Sequence, residues 1–198
     1  MPHRPSRREL ICEAALDLAA EGGNHTLTHQ AVDARLGLAR GSTSYYYRTR
    51  HALVTAAVAH LTDRSRAAFH DHLPDEPPRT SSEAASLIVD HLAMSTVERR
   101  RDVLARYALL TDAAGDDELR AGLASCLLSI PEATTLMEGL GAADPTGAGR
   151  DLVSLLEGLV FDLAYGSRAV DSRAAFDDRR AALQTVIGRW IEMLTANP

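Results

Sequence analysis

Between residues 28 and 50 the chain concentrates side chains that recognise polyanions and planar rings. Arg40 carries a forked guanidinium that can pair bidentately with the acceptor edge of guanine. Ser42 and Ser44 can hydrogen-bond base edges or phosphate, Gly41 permits close backbone approach, and Thr43 can offer a methyl group to thymine. Thr28 and Thr49 stand where helices are predicted to begin, and a hydroxyl-capped helix N-terminus is a site for phosphate. Arg50 adds a full charge one step further on. Three consecutive tyrosines, Tyr45, Tyr46 and Tyr47, follow the serines in a chain with only 5 Tyr, 3 Phe and 1 Trp. Consecutive helical residues diverge by about 100°, so the three rings cannot share one role. Tyr45 is predicted to lie along the exposed reading face, Tyr46 to offer its hydroxyl to a phosphate, and Tyr47 to anchor in the core.

These residues need a scaffold, and the composition favours helices. Of the 198 residues, 45% are hydrophobic, rich in Ala and Leu, while β-branched and aromatic types are sparse. The expected fold is all-α. Apolar residues Ile11, Ala14, Ala15, Leu18 and Ala19 follow helical spacing from Arg8 to Ala20, and "EGGN" stops that helix. Thr28 caps "HQAVDAR", whose Ala31, Val32 and Leu36 can face a core, and Gly37 ends it. A third helix is expected from Ala39 or Arg40 to Tyr47, and a long fourth from Arg50 to about His72. Two short helices joined through "LGLA" match a helix-turn-helix, in which the second helix presents its N-terminal side chains to a groove.

The proline cluster "LPDEPPRT" at 73 to 80 divides the chain. The expected organisation is a helix-turn-helix head at 1–50, a connecting helix at 51–72, and a helical ligand-binding and dimerisation body at 73–198, with about nine helices in all. Body helices are expected at about 81–97, 98–113, 116–139 with Pro131 kinking or splitting it, 147–166 and 174–195. The helix at 147–166 is apolar around most of its circumference and must be covered on two sides. A second subunit packing the last two helices into a four-helix interface supplies the second cover.

Charge is unevenly spread. The net charge is −6, but residues 1 to 50 hold seven arginines against five acids, a balance of +2, and the remainder holds 14 against 22, a balance of −8. One mildly basic end on an acidic body points to a polyanion met at that end alone. No apolar run reaches the ~18 to 20 residues of a membrane span and no apolar segment opens the chain, so a cytoplasmic location is expected. Cys12 and Cys126 sit in separate apolar helical patterns and read as buried free thiols.

Catalytic readings fail on spacing. "GAADPTGAG" at 141 to 149 lacks the "GK[ST]" of a phosphate loop and reads as an inter-helix loop. "HDH" at 70 to 72 puts its histidines on different sides of a helix, unlike the i, i+4 zinc pair. "ERRR" at 98 to 101 reads as a solvated face or a helix-start charge cluster. Neither an enzyme nor a cofactor is expected.

Residues 7 to 60 resemble the DNA-binding head of the TetR family of transcriptional regulators, through "AALDLAAEGG", "LTHQAVDARLGLARGSTSYYY" and "TRHAL". More loosely, "GRDLVSLLEGLVFDLAYG" is similar to the family's eighth helix. The resemblance implies a homodimer whose recognition helices enter successive major grooves of a palindromic double-stranded DNA operator. By it, His29 and Gln30 reach bases or backbone; Arg40, Gly41, Ser42, Ser44 and Tyr45 line the groove; Tyr46 and Arg50 hold phosphates. Many relatives carry an aromatic at Ser44, Phe at Tyr47 and Pro at Arg48. The resemblance further implies a repressor released by a small-molecule inducer bound in the body, with the fourth helix as lever. Candidate pocket residues are those interrupting the apolar faces of body helices: His91, Met94, Tyr107, Thr111, Cys126, Met137, Phe161 and Trp190. The alternative is a helical small-molecule binding or protein-interaction module without operator-specific DNA binding.

Overall fold

The structure is a computed structural model that describes residues 5–74, 76–170 and 172–196. The described residues form an all-α fold with no strand. Its α-helices are α1 (Arg7–Gly22), α2 (His29–Arg35), α3 (Ser42–Tyr46), α4 (Arg50–Asp71), α5 (Ser81–Ala93), α6 (Arg100–Leu109), α7 (Asp117–Ala124), α8 (Ile130–Gly139), α9 (Pro145–Tyr165), α10 (Arg173–Asp177) and α11 (Arg180–Thr195). These exceed the expected nine because two stretches divide. Pro131 falls in the first turn of α8, where its missing N–H costs nothing, and Ser129 caps that helix, so 116–139 becomes two helices. The last stretch breaks between α10 and α11 without any Gly or Pro to announce it. No helix among the described residues is long and apolar enough to cross a membrane.

The described residues fall into two compact units, one built from residues up to 67 with 101–127, the other from 68–100 with 128–196. In the first unit, α1 opens with a capping box: Ser6 Oγ accepts the Glu9 N–H at 3.2 Å, and the Glu9 carboxylate accepts the Ser6 N–H at 2.5 Å. Its core contains Ile11, Leu16, Leu27, Val32, Leu53, Leu61, Leu109 and Leu123, all buried. Around that core runs a charge network centred on Glu13 of α1, which meets His60 Nε2 at 2.6 Å and the guanidiniums of Arg64 and Arg101. Arg101 also reaches Asp17 at 3.2 Å and Asp102 at 3.0 Å. Of the two readings of "ERRR", the helix-start cluster fits, since α6 begins at Arg100 and its arginines are half-buried. Besides Arg101's partners, Arg100 donates to the Val170 carbonyl at 2.7 Å, and Glu98 pairs with Arg173 at 2.8 Å. Both cysteines are free and buried.

In the second unit, α8 packs along α9, and α11 packs on α5 and α9. On α11, Leu183, Ile187 and Ile191 are buried, one turn apart, while Val186, Trp190 and Leu194 are half-buried beside them. Gly149 lets α9 approach α8: a Cβ there would lie 2.8 Å from the Thr134 nitrogen. The segment at 141–149, read as a loop, is helical from Pro145, because Asp144 caps α9 by accepting the Gly147 N–H at 3.0 Å. Leu152, Leu156, Leu159 and Leu163 bury one side of α9, whereas Phe161 and Tyr165 on the other are 51% exposed. After α5 the backbone widens into a π-turn at Met94–Glu98, where Arg99 N–H reaches the Met94 carbonyl at 2.8 Å.

Candidate nucleic-acid interface

The second helix of the helix-turn-helix, α3, has only five residues. It starts two or three residues later than its sequence pattern predicts, because Gly41 takes a left-handed conformation, φ +92°, and turns the chain into the helix. A Cβ at Gly41 would meet nothing within 4 Å, so the backbone angle, not space, calls for glycine there. Arg40 lies in the preceding turn and is exposed. Ser44 and Tyr45 follow on the surface, with Tyr45 83% exposed. Ser42 is half-buried, and its hydroxyl donates to the Ala39 carbonyl at 2.6 Å, closing the turn.

The tyrosines divide as their angular spacing requires. Tyr47 is 9% exposed, and its hydroxyl lies 3.6 Å from the Cys12 thiol. Burial raises the Tyr47 phenol, and burial also pushes the Cys12 thiol up, so neither is an anion here. Tyr46 is half-buried, set edge-on to Tyr45 with ring centroids 5.3 Å apart. Arg8 stretches its guanidinium over both inner rings, 5.8 Å from Tyr46 and 5.3 Å from Tyr47. Sequence reasoning missed Arg8 as a cation beside Tyr46, because 38 positions separate them.

Thr43 corrects the sequence reading. It is 0% exposed, so its methyl cannot meet a thymine. Its hydroxyl donates to Asp33 at 2.6 Å and its N–H donates to the same carboxylate at 2.8 Å. Asp33 is itself buried in α2 and also accepts the Gly41 N–H at 2.7 Å. Burial works to raise the Asp33 carboxyl, and the hydroxyl and amide of Thr43 with the amide of Gly41 outweigh it, holding the group below the usual carboxylate range. Sequence reasoning missed Asp33, whose partners lie 8 and 10 positions along the chain.

The flanking candidates lie at helix starts. Thr28 is exposed and caps α2 by accepting the Ala31 N–H at 3.1 Å; Thr49 is exposed and caps α4 by accepting the Ala52 N–H at 3.0 Å. Gln30 is exposed. His29 turns inward instead, its Nε2 2.7 Å from the Tyr47 carbonyl. Arg50 is also committed: its guanidinium is clamped bidentately by Asp112 and donates to the Asn24 carbonyl at 2.8 Å. Its charge is largely neutralised by a residue 62 positions away.

A separate cavity of about 900 Å³ lies in the second unit, between the end of α4, the proline-rich connection, α5 and the π-turn. Phe69 and His91 line it edge to face, centroids 5.2 Å apart, beside Leu73, Leu87 and Met94. Its carboxylates are Glu76, Glu83, Asp90 and Glu98, and its cations are Arg79 and Arg173. Of the pocket candidates, only His91 and Met94 line this cavity. Tyr107, Thr111 and Cys126 belong to the first unit. There Arg106 lies over the Tyr107 ring at 5.2 Å, the Thr111 hydroxyl accepts from Asn24 at 2.8 Å, and Cys126 meets the Thr62 hydroxyl at 3.1 Å. Met137 is wholly buried on α8, Phe161 is exposed on α9, and Trp190 is half-buried on α11. The prolines that read as a mere boundary form part of the cavity wall.

Residues 79–195 match the family model described as "Tetracyclin repressor-like, C-terminal domain". The HTH-type transcriptional regulator BetI of Klebsiella pneumoniae (strain 342) is 29% identical over 86 residues, 43% of this chain and 44% of that protein. The match thus spans less than half the length of this curated relative. A transcriptional regulator from Rhodococcus sp. Rha1 shares the fold, with a TM-score of 0.74 over 98% of this chain and 100% of its own at 21% identity. A TetR-family member from Streptomyces coelicolor A3 superposes with a TM-score of 0.67 at 26% identity, covering 94% and 98%. The multidrug binding protein EbrR complexed with imidazole gives 0.66 at 26% identity, covering 98% of each chain. EbrR structures with malachite green, proflavin and ethidium are also similar.

Proposed function

Because the chain belongs to the tetracycline-repressor-like (TetR) family of transcriptional regulators, we propose that it acts as a homodimeric repressor that leaves a palindromic operator when a small molecule binds. The observation that carries the reading is the sorting of side chains around α3. Arg40, Gly41, Ser44 and Tyr45 are exposed together, while Thr43 and Tyr47 hold the helix from inside. Arg40 reads guanine, Ser44 and Tyr45 lie along the groove, and Ser42 supports the turn. Thr28, Gln30, Tyr46 and Thr49 hold phosphates, with Arg8 as an added cation. Arg50 contributes less than its charge suggests, because Asp112 already occupies the guanidinium.

Residues 1–50 carry the DNA contacts, 51–72 connect, and 73–198 bind effector and partner subunit, in the compartment that holds the DNA. Phe161 and Tyr165 on α9 and Met193 on α11, 51%, 51% and 62% exposed, suit a paired-helix interface with a second copy. The cavity beside Phe69 and His91 suits a flat aromatic cation, the chemical class of proflavin and ethidium, two of the dyes named for EbrR. Such a cation competes with Arg79 for Glu76 and with Arg173 for Glu98, whose pairs stand at 3.2 and 2.8 Å. The 22 residues of α4 span ~33 Å at ~1.5 Å per residue, so effector binding at its end shifts the population of head separations.

The experiment is selection of duplexes from a random DNA pool with the purified full-length protein. Recovery of a palindrome whose binding weakens steeply with salt, by counterion release, and is reversed by ethidium or proflavin is the expected result. Enrichment of no sequence refutes operator binding, and insensitivity to both dyes refutes the proposed effector class.

A further inference from the structure

Two polar side chains on α2, one turn apart, both turn onto α3. At its start the Asp33 carboxylate receives three donors: the Gly41 N–H at 2.7 Å, the Thr43 N–H at 2.8 Å and the Thr43 hydroxyl at 2.6 Å. Just past its end, His29 Nε2 lies 2.7 Å from the Tyr47 carbonyl oxygen. A carbonyl only accepts, so that ring nitrogen carries the proton. An anion at the N-terminus and a donor at the C-terminus each complement the helix dipole and satisfy groups that a helix leaves orphaned.

α3 needs such support. Five residues make a rod of ~7 Å, far below the length at which a helix holds itself in water. Apolar packing alone would keep α3 against α2 yet let it roll about its axis. Charge-assisted hydrogen bonds are directional, and three of them converging on one buried carboxylate fix the roll. The Thr43 side chain, 0% exposed, converts that fixed point into a fixed orientation for its neighbours Ser44 and Tyr45.

We propose that His29 and Asp33 are positioning residues for sequence-specific DNA recognition, a two-ended polar clamp that sets the angle at which Arg40, Ser44 and Tyr45 meet the bases. Neither side chain touches a base. The inference rests on the operator-binding reading above, and its consequence is particular: loosening the clamp degrades discrimination between sequences before it degrades attachment to DNA, because phosphate contacts tolerate a rolling helix and base contacts do not.

The test compares full-length Thr43→Val, Thr43→Ser and Asp33→Asn with the natural protein on the selected duplex and on random duplex. Valine keeps the shape and loses the hydroxyl; serine keeps the hydroxyl. Thr43→Val is expected to lower the ratio of specific to random affinity about ten-fold, and Asp33→Asn by about thirty-fold or more, since its amide cannot accept all three donors. Thr43→Ser is expected to stay within about three-fold, and random-duplex affinity to hold throughout. Amide exchange at Gly41 and Thr43 is expected to speed up in Asp33→Asn and Thr43→Val but not in Thr43→Ser. If Asp33→Asn fails to fold, the valine and serine pair decides. An unchanged ratio in Thr43→Val, or an equal fall on both duplexes, overturns the proposal. Should the natural protein select no sequence, the operator-binding reading fails by itself, and unaltered exchange at Gly41 and Thr43 in the valine variant then overturns the clamp.

Discussion

Replacing Glu13 with Gln tests the charge network of the first unit against a defined pH window. Burial works to raise the Glu13 carboxyl, but the hydrogen bonds from Arg64 and His60 and the Arg101 charge outweigh it and lower the group from 4.5 to about 2. A drop of roughly 2.5 units corresponds to about 3 kcal/mol at ~1.36 kcal/mol per unit. The Glu13 side chain is 29% exposed, so screening by water and salt reduces the expected effect to about 1–2 kcal/mol. The folded-state value lies below the unfolded one, so this stability is fully present above about pH 4.5 and is lost as pH falls toward about 2. Gln has the shape and charge of the protonated acid. The variant should therefore be about 1–2 kcal/mol less stable than the natural protein near neutrality, and the gap should close progressively between about pH 4.5 and 2. Urea unfolding of both proteins, followed by helical circular dichroism at low salt and matched concentration, measures the gap at each pH. Every other carboxylate titrates in both proteins and cancels to first order. A gap that stays constant through acidification, or widens, refutes the assignment of Glu13 as the hub.

Four further substitutions probe the interface and the packing. Arg40→Ala should cost about 1–3 kcal/mol on the selected operator and relax the base preference at one position, read by repeating the selection; an unchanged preference removes Arg40 as a base reader. Tyr46→Phe should weaken selected and random duplexes alike without lowering the melting temperature, whereas Tyr47→Phe, which loses only a hydroxyl 3.6 Å from Cys12, should leave both nearly unchanged. The opposite pattern would exchange the roles of the two rings. Gly149→Ala drives a Cβ to within 2.8 Å of the Thr134 nitrogen and 2.9 Å of its Cα, so it should cost about 1–3 kcal/mol in thermal or urea unfolding. An unshifted melting curve would mean that α8 and α9 are not held that closely.

What could be read from the sequence was what is local. Thr28 capping "HQAVDAR", the long helix beginning at Arg50 and the inward turn of Tyr47 all follow from caps and from angular spacing within a few residues. What could not be read depends on partners distant in the chain. Arg50, a full charge in the sequence, is clamped by Asp112, and Thr43, whose methyl is expected to meet thymine, is buried against Asp33. The lining of the cavity beside Phe69 and His91 was hidden for a related reason. Interruptions of apolar faces pointed to Tyr107 and Cys126, which are engaged within the first unit, whereas a breaker-rich segment next to a π-turn makes the opening. A π-turn has no signature in periodicity, because it differs from an α-turn by one residue of slippage.

The alternation along α3 has a bearing on how such a protein can diverge. Arg40, Ser44 and Tyr45 point to solvent, and surface substitutions typically move stability by no more than about 0.5 kcal/mol. After gene duplication, one copy can therefore change the sequence it reads by single steps, each yielding a foldable protein. Asp33 and Thr43 are under the opposite regime. Losing the Asp33 carboxylate leaves the Gly41 and Thr43 N–H groups without their acceptor whatever stands at 43, so position 33 must keep an acceptor and position 43 a side chain that fits it. A library for a new operator should vary positions 40, 44 and 45 freely and hold 33 and 43 fixed.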